Sequence, residues 1–238
     1  MNISIVIPVS LSNDKDYANF QRLLEWLQSL YYPDADYEVV VISNWSAVGY
    51  GVKIAQTCER LGFRFENYLV CNSLYGAMNV GIEVAKYGQI AFLGWDCIPD
   101  VNWLRFGIDA LMTYGGIVAG HIELERTDRT IEYFDKNYHH NQARNTINGY
   151  AEALNMFIDR DKFYRFGGFP EVQYGGDREW CLKSALPVSY CSEAKIYKAA
   201  RKTLSAVLGK AWCDTRAVHR VDRNKIYLIP QLWKFGIC

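Results

Sequence analysis

Short β-branched apolar runs that alternate with amphipathic helical segments are what most constrain this chain. Residues 3–9 read Ile-Ser-Ile-Val-Ile-Pro-Val. A run that is so nearly apolar suits a strand covered on both faces, as in a parallel sheet. Phe20, Leu23, Leu24, Leu27 and Leu30 follow at helical spacing, so 19–30 reads as an amphipathic helix. A second apolar run at 37–42 completes a βαβ unit. The alternation continues with a helix at 50–61, a strand at 65–70, a helix at 74–87, a strand at 89–93, a helix at 102–114 and a strand at 116–119. From there the pattern weakens. Residues 121–150 are polar with little periodicity, a length of irregular chain that usually serves a function. Strands at 153–158 and 188–190 and helices at 161–166, 177–185 and 199–212 complete the reading. The length of 238 residues fits one α/β domain with at most a small appendage.

Lys and Arg number 26, as do Asp and Glu, so no overall charge draws the chain to nucleic acid. The basic residues do cluster late, at Lys195, Lys198, Arg201, Lys202, Lys210, Arg216, Arg220, Arg223 and Lys225, opposed only by Asp214 and Asp222. Such a segment faces phosphates, an anionic membrane surface or simply water. The seven cysteines form no CxxC pair, which argues against a disulfide framework or a structural zinc and for a reducing cytoplasm. Residues 1–7, with no basic n-region or cleavage site, read as a strand rather than a signal peptide, and no apolar run is long enough to span a bilayer.

One strand end stands out. The apolar run Ala91-Phe92-Leu93 leads into Gly94-Trp95-Asp96-Cys97-Ile98-Pro99-Asp100. Ligands of open α/β sheets bind at the carboxyl ends of the strands. A carboxylate placed there can hold a divalent cation, and the cation a phosphate; it can equally be a turn residue. Other phosphate and nucleophile signatures are missing. There is no GxGxxG after a strand, no P-loop and no Gly-x-Ser-x-Gly elbow. His139-His140, in the polar stretch, reads as an exposed pair rather than a ligand pair.

Four landmarks occur in order: Val6-Ile7-Pro8-Val9, Glu38 through Asn44, the block from Asn72 to Leu104 with Asn79-Val80-Gly81-Ile82 and Gly94-Trp95-Asp96, and Gly167-Gly168-Phe169-Pro170-Glu171 leading to Gly175-Gly176-Asp177. This set, spanning residues 3 to about 212, resembles the family 2 glycosyltransferases of the GT-A fold. The resemblance implies a mixed, mostly parallel sheet flanked by helices, with a nucleotide-binding half at 1–120, an acceptor half at 121–212 and a tail at 213–238. It implies inverting, hexosyltransferase-type transfer from a nucleoside diphosphate sugar, a UDP-sugar in particular, to a hydroxyl of a glycan, glycolipid or other acceptor, as in polysaccharide biosynthesis. A cytoplasmic enzyme, with peripheral membrane contact through the basic 199–212 helix, would suit a lipid-linked acceptor. A catalytically inactive binding protein on the same fold is the competing expectation.

By the same resemblance, Pro8 and Val9 lie at the nucleotide end of the first strand. Ser43 stands where the family has a base-contacting Asp. Asn72 borders the donor pocket, and Trp95 either stacks on the donor or packs in the core. Asp96 matches the last residue of the DxD metal motif, and Asp177 matches the catalytic base, although its position also suits an N-cap of the helix at 177–185. Several positions depart from the family pattern. Gly94 replaces the first Asp of DxD, and Lys198 stands where a metal-ligating His is usual. The expected Mn²⁺ or Mg²⁺ would therefore have one protein carboxylate, Asp96. A lysine neutralises phosphate without coordinating metal, so Lys198, with Arg201 and Lys202, is a candidate to replace the cation in part or whole.

Overall fold

The structure, a computed structural model, describes residues 2–30, 36–69, 73–125, 140–201 and 203–221. Among these, the strands are β1 (Ile3–Val9), β2 (Tyr37–Asn44), β3 (Arg64–Tyr68), β4 (Gln89–Leu93), β5 (Cys97–Pro99), β6 (Ile117–Glu125), β7 (Asn155–Asp159) and β8 (Val188–Ala199). The helices are α1 (Asp14–Gln28), α2 (Tyr50–Leu61), α3 (Leu74–Val84), α4 (Trp103–Tyr114), α5 (Gln142–Ile147), α6 (Arg160–Arg165), α7 (Gly176–Ser184) and α8 (Leu204–Val221).

The strands form one mixed sheet in the order β3-β2-β1-β4-β7-β6-β8-β5. The pairings β2–β3, β1–β2, β1–β4 and β6–β8 are parallel. The pairings β4–β7, β6–β7 and β5–β8 are antiparallel. All of β1 is buried, and its alternate residues face different layers. Ile3, Ile5, Ile7 and Val9 pack with Phe20, Leu23, Leu24 and Leu27 of α1, Ile54 of α2, and Trp103 and Ile108 of α4. Val6 on the other face packs with Met78 and Ile82 of α3, Phe163 of α6 and Trp180 of α7. The result is three layers with the sheet in the middle.

The sheet's directions assemble one working edge. β1, β2 and β4 run parallel, so Val9, Asn44 and Leu93 end on the same side. β7 is antiparallel to β4, so its start at Asn155 lies on that side, with residues 151–154 just before it. β6 is antiparallel to β7 and parallel to β8, which brings the end of β8, including Lys198, to the same edge. β5 runs against β8 with Cys97 opposite Lys198.

Three expectations change. The strand expected at 188–190 runs on to Ala199. Its pairing with β6 jumps from Cys191 to Lys195 between Gly120 and His121. This bulge breaks the period-two pattern and makes a continuous strand look like a polar loop. Buried Asn155 pins the bulge by donating 2.9 Å bonds to the carbonyls of His121 and Ala194, and it accepts one from Trp103 Nε1 at 2.8 Å. The helix expected at 199–212 is α8, Leu204–Val221, which begins where Thr203 Oγ1 accepts from the Ala206 amide and runs on past residue 212. The polar 121–150 stretch is in part regular, since β6 extends to Glu125 and α5 occupies Gln142–Ile147.

Candidate active site

Asp96 leaves β4 in a tight turn, where the Cys97 amide bonds the Gly94 carbonyl at 3.1 Å. Because Cys97 pairs across β5–β8 with Lys198, the turn brings Asp96 Oδ2 into contact with Lys198 Nζ. The Cys97 thiol lies 3.6 Å from Asp96 Oδ1. The Lys198 side chain is 13% exposed and that of Asp96 32%, so the pair is recessed but open to a ligand. Burial opposes ionisation of both. Lysine's charge nevertheless brings the Asp96 carboxyl below its ordinary value of 3.8, and the acidic neighbours bring Lys198 above its ordinary 10.5. The pair is therefore ionised at neutral pH. Trp95 beside it is partly buried against the core rather than standing free.

Gly94 is fixed by its surroundings. It is buried, its amide bonds the Leu154 carbonyl at 3.0 Å, and an added Cβ would meet Leu154 Cδ1 at 2.1 Å and Cys97 Sγ at 3.0 Å. The space that a first carboxylate of DxD would need is occupied by Leu154.

Asp177 reaches the same edge through the segment before β7. Its Oδ2 accepts from the Ala153 amide at 3.0 Å, and its Oδ1 accepts from Tyr75 Oη at 2.9 Å and from the Arg178 amide at 2.8 Å. The N-cap of α7 is Gly175, in the left-handed region at φ 68°, so Asp177 lies within the first turn and not at the cap. Burial pushes its carboxyl above the ordinary 3.8; the Ala153 amide pulls it back and the Glu152 carboxylate pushes it further up. The turn that feeds this region needs glycine, with φ of 84° at Gly167 and 74° at Gly168. Asn79 clamps it, bonding both the carbonyl and the amide of Phe169 at 2.8 and 3.0 Å.

The other expected residues divide. Pro8 and Val9 end β1 at this edge and are buried. Ser43 is buried at the end of β2, its hydroxyl 3.3 Å from that of Ser46. Asn72, His139 and Lys202 lie outside the described residues. Arg201 reaches His140 Nε2 at 3.5 Å. His140, expected to be exposed, is buried, and its Nδ1 meets Glu152 Oε2 at 2.7 Å. Sequence reasoning missed Glu152, Tyr75 and Trp45. Trp45 is 53% exposed just past β2 in a left-handed conformation at φ 49°. An aromatic at a strand end is a legible signal, whereas Glu152 and Tyr75 matter only through contacts distant in sequence.

Glu152 also accepts from Asn145 Nδ2 at 2.9 Å. Burial opposes its charge, but His140 and then Lys210 hold its carboxyl down to about 2, from an ordinary 4.5. A carboxylate depressed on folding stabilises the fold above its unfolded pKa, and that stability is lost as pH falls through the folded value. Glu152→Gln is therefore expected to remove acid sensitivity on the order of 2–3 kcal/mol between pH 4.5 and about 2. Thermal melts across that range would show parallel wild-type and variant curves if Glu152 carries no such linkage.

The fold and this edge define a class, the GT-A nucleoside-diphospho-sugar transferase fold. No family model matches the chain. It is 28% identical, over 97% of its length and 79% of the relative's, to glycosyltransferase AglE of Haloferax volcanii. It superposes on a mannosyltransferase, PcManGT, from Pyrobaculum calidifontis, solved with GDP-Man and Mn²⁺, with a TM-score of 0.70 at 14% identity over 97% of this chain and 66% of that one. It also superposes on S. aureus TarS 1–349, solved with UDP-GlcNAc, with a TM-score of 0.62 at 15% identity over 85% of this chain and 60% of that one. This chain thus spans less than two thirds of the length of these solved chains. The sequence is thus similar to that of a glycosyltransferase, and the fold is of the GT-A type.

Proposed function

We propose that this chain is an inverting glycosyltransferase that moves a sugar from a nucleoside diphosphate sugar to an acceptor hydroxyl. The observation that carries this reading is the state of Asp177. A carboxylate accepts about four hydrogen bonds, two per oxygen. The bonds found among the described residues fill Oδ1 and half of Oδ2. One lone pair on Oδ2 is left for an incoming hydroxyl. The raised pKa makes it a stronger base than a free Asp, as a general base requires.

In the reaction, the acceptor oxygen forms a bond to the anomeric carbon on the face opposite the leaving group. The bond from that carbon to the diphosphate oxygen breaks, and its electrons leave with the diphosphate. The acceptor proton passes to Asp177 Oδ2. The nucleotide would lie along the ends of β1, β2 and β4. Trp45 offers a flat apolar face to the base, and the Asp96–Lys198 pair faces the diphosphate. That relatives bind UDP-GlcNAc or GDP-Man supports both nucleotides as candidates. The acceptor, a glycan or a lipid-linked hydroxyl, would enter on the Asp177 side. No helix among the described residues is long and apolar enough to cross a membrane.

The test is release of nucleoside diphosphate by the purified protein across a panel of UDP-, GDP- and dTDP-sugars, with simple glycosides and lipid-linked glycans as acceptors. Acceptor-dependent release from one donor is expected. Donor binding with no release under any acceptor would favour a catalytically inactive binding protein.

A further inference from the structure

The residues at the end of β4 do not fit the divalent cation that the DxD motif would hold. Gly94 carries no carboxylate, and the Leu154 side chain lies where one would enter. Asp96, the remaining candidate ligand, is bonded to a lysine. Among the described residues no group of three or more His, Cys, Asp and Glu is arranged to hold a metal ion. An ammonium cannot ligate a metal, and a dication arriving at Asp96 would have to displace Lys198 against its repulsion.

From this geometry we infer that Lys198 is the resident cation of the donor site, held in place by Asp96, and that its ammonium binds the diphosphate where related enzymes use a divalent ion. The inference rests on the glycosyltransferase reading above and names how the donor is held. The fold supplies the placement. Lys198 is set opposite Cys97 by the β5–β8 register, and Asp96 precedes Cys97 directly. An ammonium has three donors, and the bond to Asp96 uses one. Two remain for phosphate oxygens, in a recess where charge-assisted bonds are stronger than at an open surface. Asp96 in this arrangement orients the lysine and need not touch a metal. Arg201, a second candidate for the same task, is within reach of His140 on the Glu152 side. Lys198 is the member of the basic run that the structure sets against Asp96.

Calorimetric titration of the whole chain with UDP, GDP and their sugar conjugates tests this, in excess EDTA and separately with Mn²⁺. Wild-type affinity is expected to change by less than about threefold between the two conditions, a difference well under 1.4 kcal/mol. Lys198→Met is expected to lose about tenfold or more in both, the usual cost of removing a hydrogen bond to a charged group, and Lys198→Arg to retain part of the binding. Affinity that vanishes in EDTA and returns with Mn²⁺ would overturn the inference, as would unchanged binding by a folded Lys198→Met. If that variant does not fold, the wild-type comparison decides. Binding of no nucleotide in either condition would overturn the glycosyltransferase reading and this inference together, which separates it from a failure of the metal claim alone.

Discussion

Asp177→Asn is expected to lower sugar transfer by roughly 10²- to 10⁴-fold, the range that a positioned general base supplies, while leaving donor affinity near wild type. The side chain keeps its shape, so the effect isolates basicity. Asn can still accept from Tyr75 and from the Arg178 amide through its carbonyl oxygen. Its amide nitrogen would face the Ala153 N–H, donor against donor, so a stability cost of about 1–3 kcal/mol is expected as well. A melting curve measured beside the kinetics separates the two effects. The activity of the wild type should rise with pH through a midpoint above the ordinary aspartate value of 3.8, because burial raises this carboxyl and only its ionised form takes a proton. In Asp177→Asn that limb should disappear. Transfer retained at wild-type rate would remove Asp177 from the mechanism.

The second large effect is on stability. Gly94→Asp would restore the first carboxylate of a DxD motif, yet the chain is built against it. The new Cβ would lie 2.1 Å from Leu154 Cδ1, and overpacking of this kind costs about 1–3 kcal/mol before the buried charge is counted. Each kcal/mol should lower Tm by about 2–4 °C in a domain of this size. Leu154→Ala in the same molecule opens the space, so the double variant should lose less than the sum of the two single losses, the coupling expected of residues in contact. Mn²⁺ should not rescue Gly94→Asp. A variant that melts like the wild type, or one that Mn²⁺ stabilises, would mean that the pocket at Gly94 can open to a metal ligand.

The first half of the fold is plain in the sequence because its strands and helices follow one another with strong, regular periods. α2 at Tyr50–Leu61 and β4 at Gln89–Leu93 fall where the apolar pattern puts them. The second half is harder, and β8 shows why. Its bulge inserts Ser192, Glu193 and Ala194 between residues paired with consecutive positions of β6, so no fixed period survives along it. Asp96 drew notice as a carboxylate at a strand end, and Asp177 through the resemblance alone. That Asp96 meets Lys198 was not legible, since the contact joins residues 102 positions apart and depends on the short β5 pairing with a strand whose length the pattern conceals. The fixation of Gly94 was hidden for the same reason. Leu154 closes the space only because β7 runs antiparallel beside β4, with Leu93 opposite Asn155. Buried His140 follows from its bond to Glu152, a partner that a polar loop does not advertise.

On the proposed function, donor and acceptor meet at one sheet edge, between the Asp96–Lys198 pair and Asp177. Amide hydrogen exchange with and without a saturating nucleoside diphosphate sugar tests it most directly. Protection is expected in 94–99 and 195–199 on donor binding, with smaller protection in 151–154 and 176–178. Donor binding that leaves all four segments unchanged, or protects another face of the sheet, would contradict it.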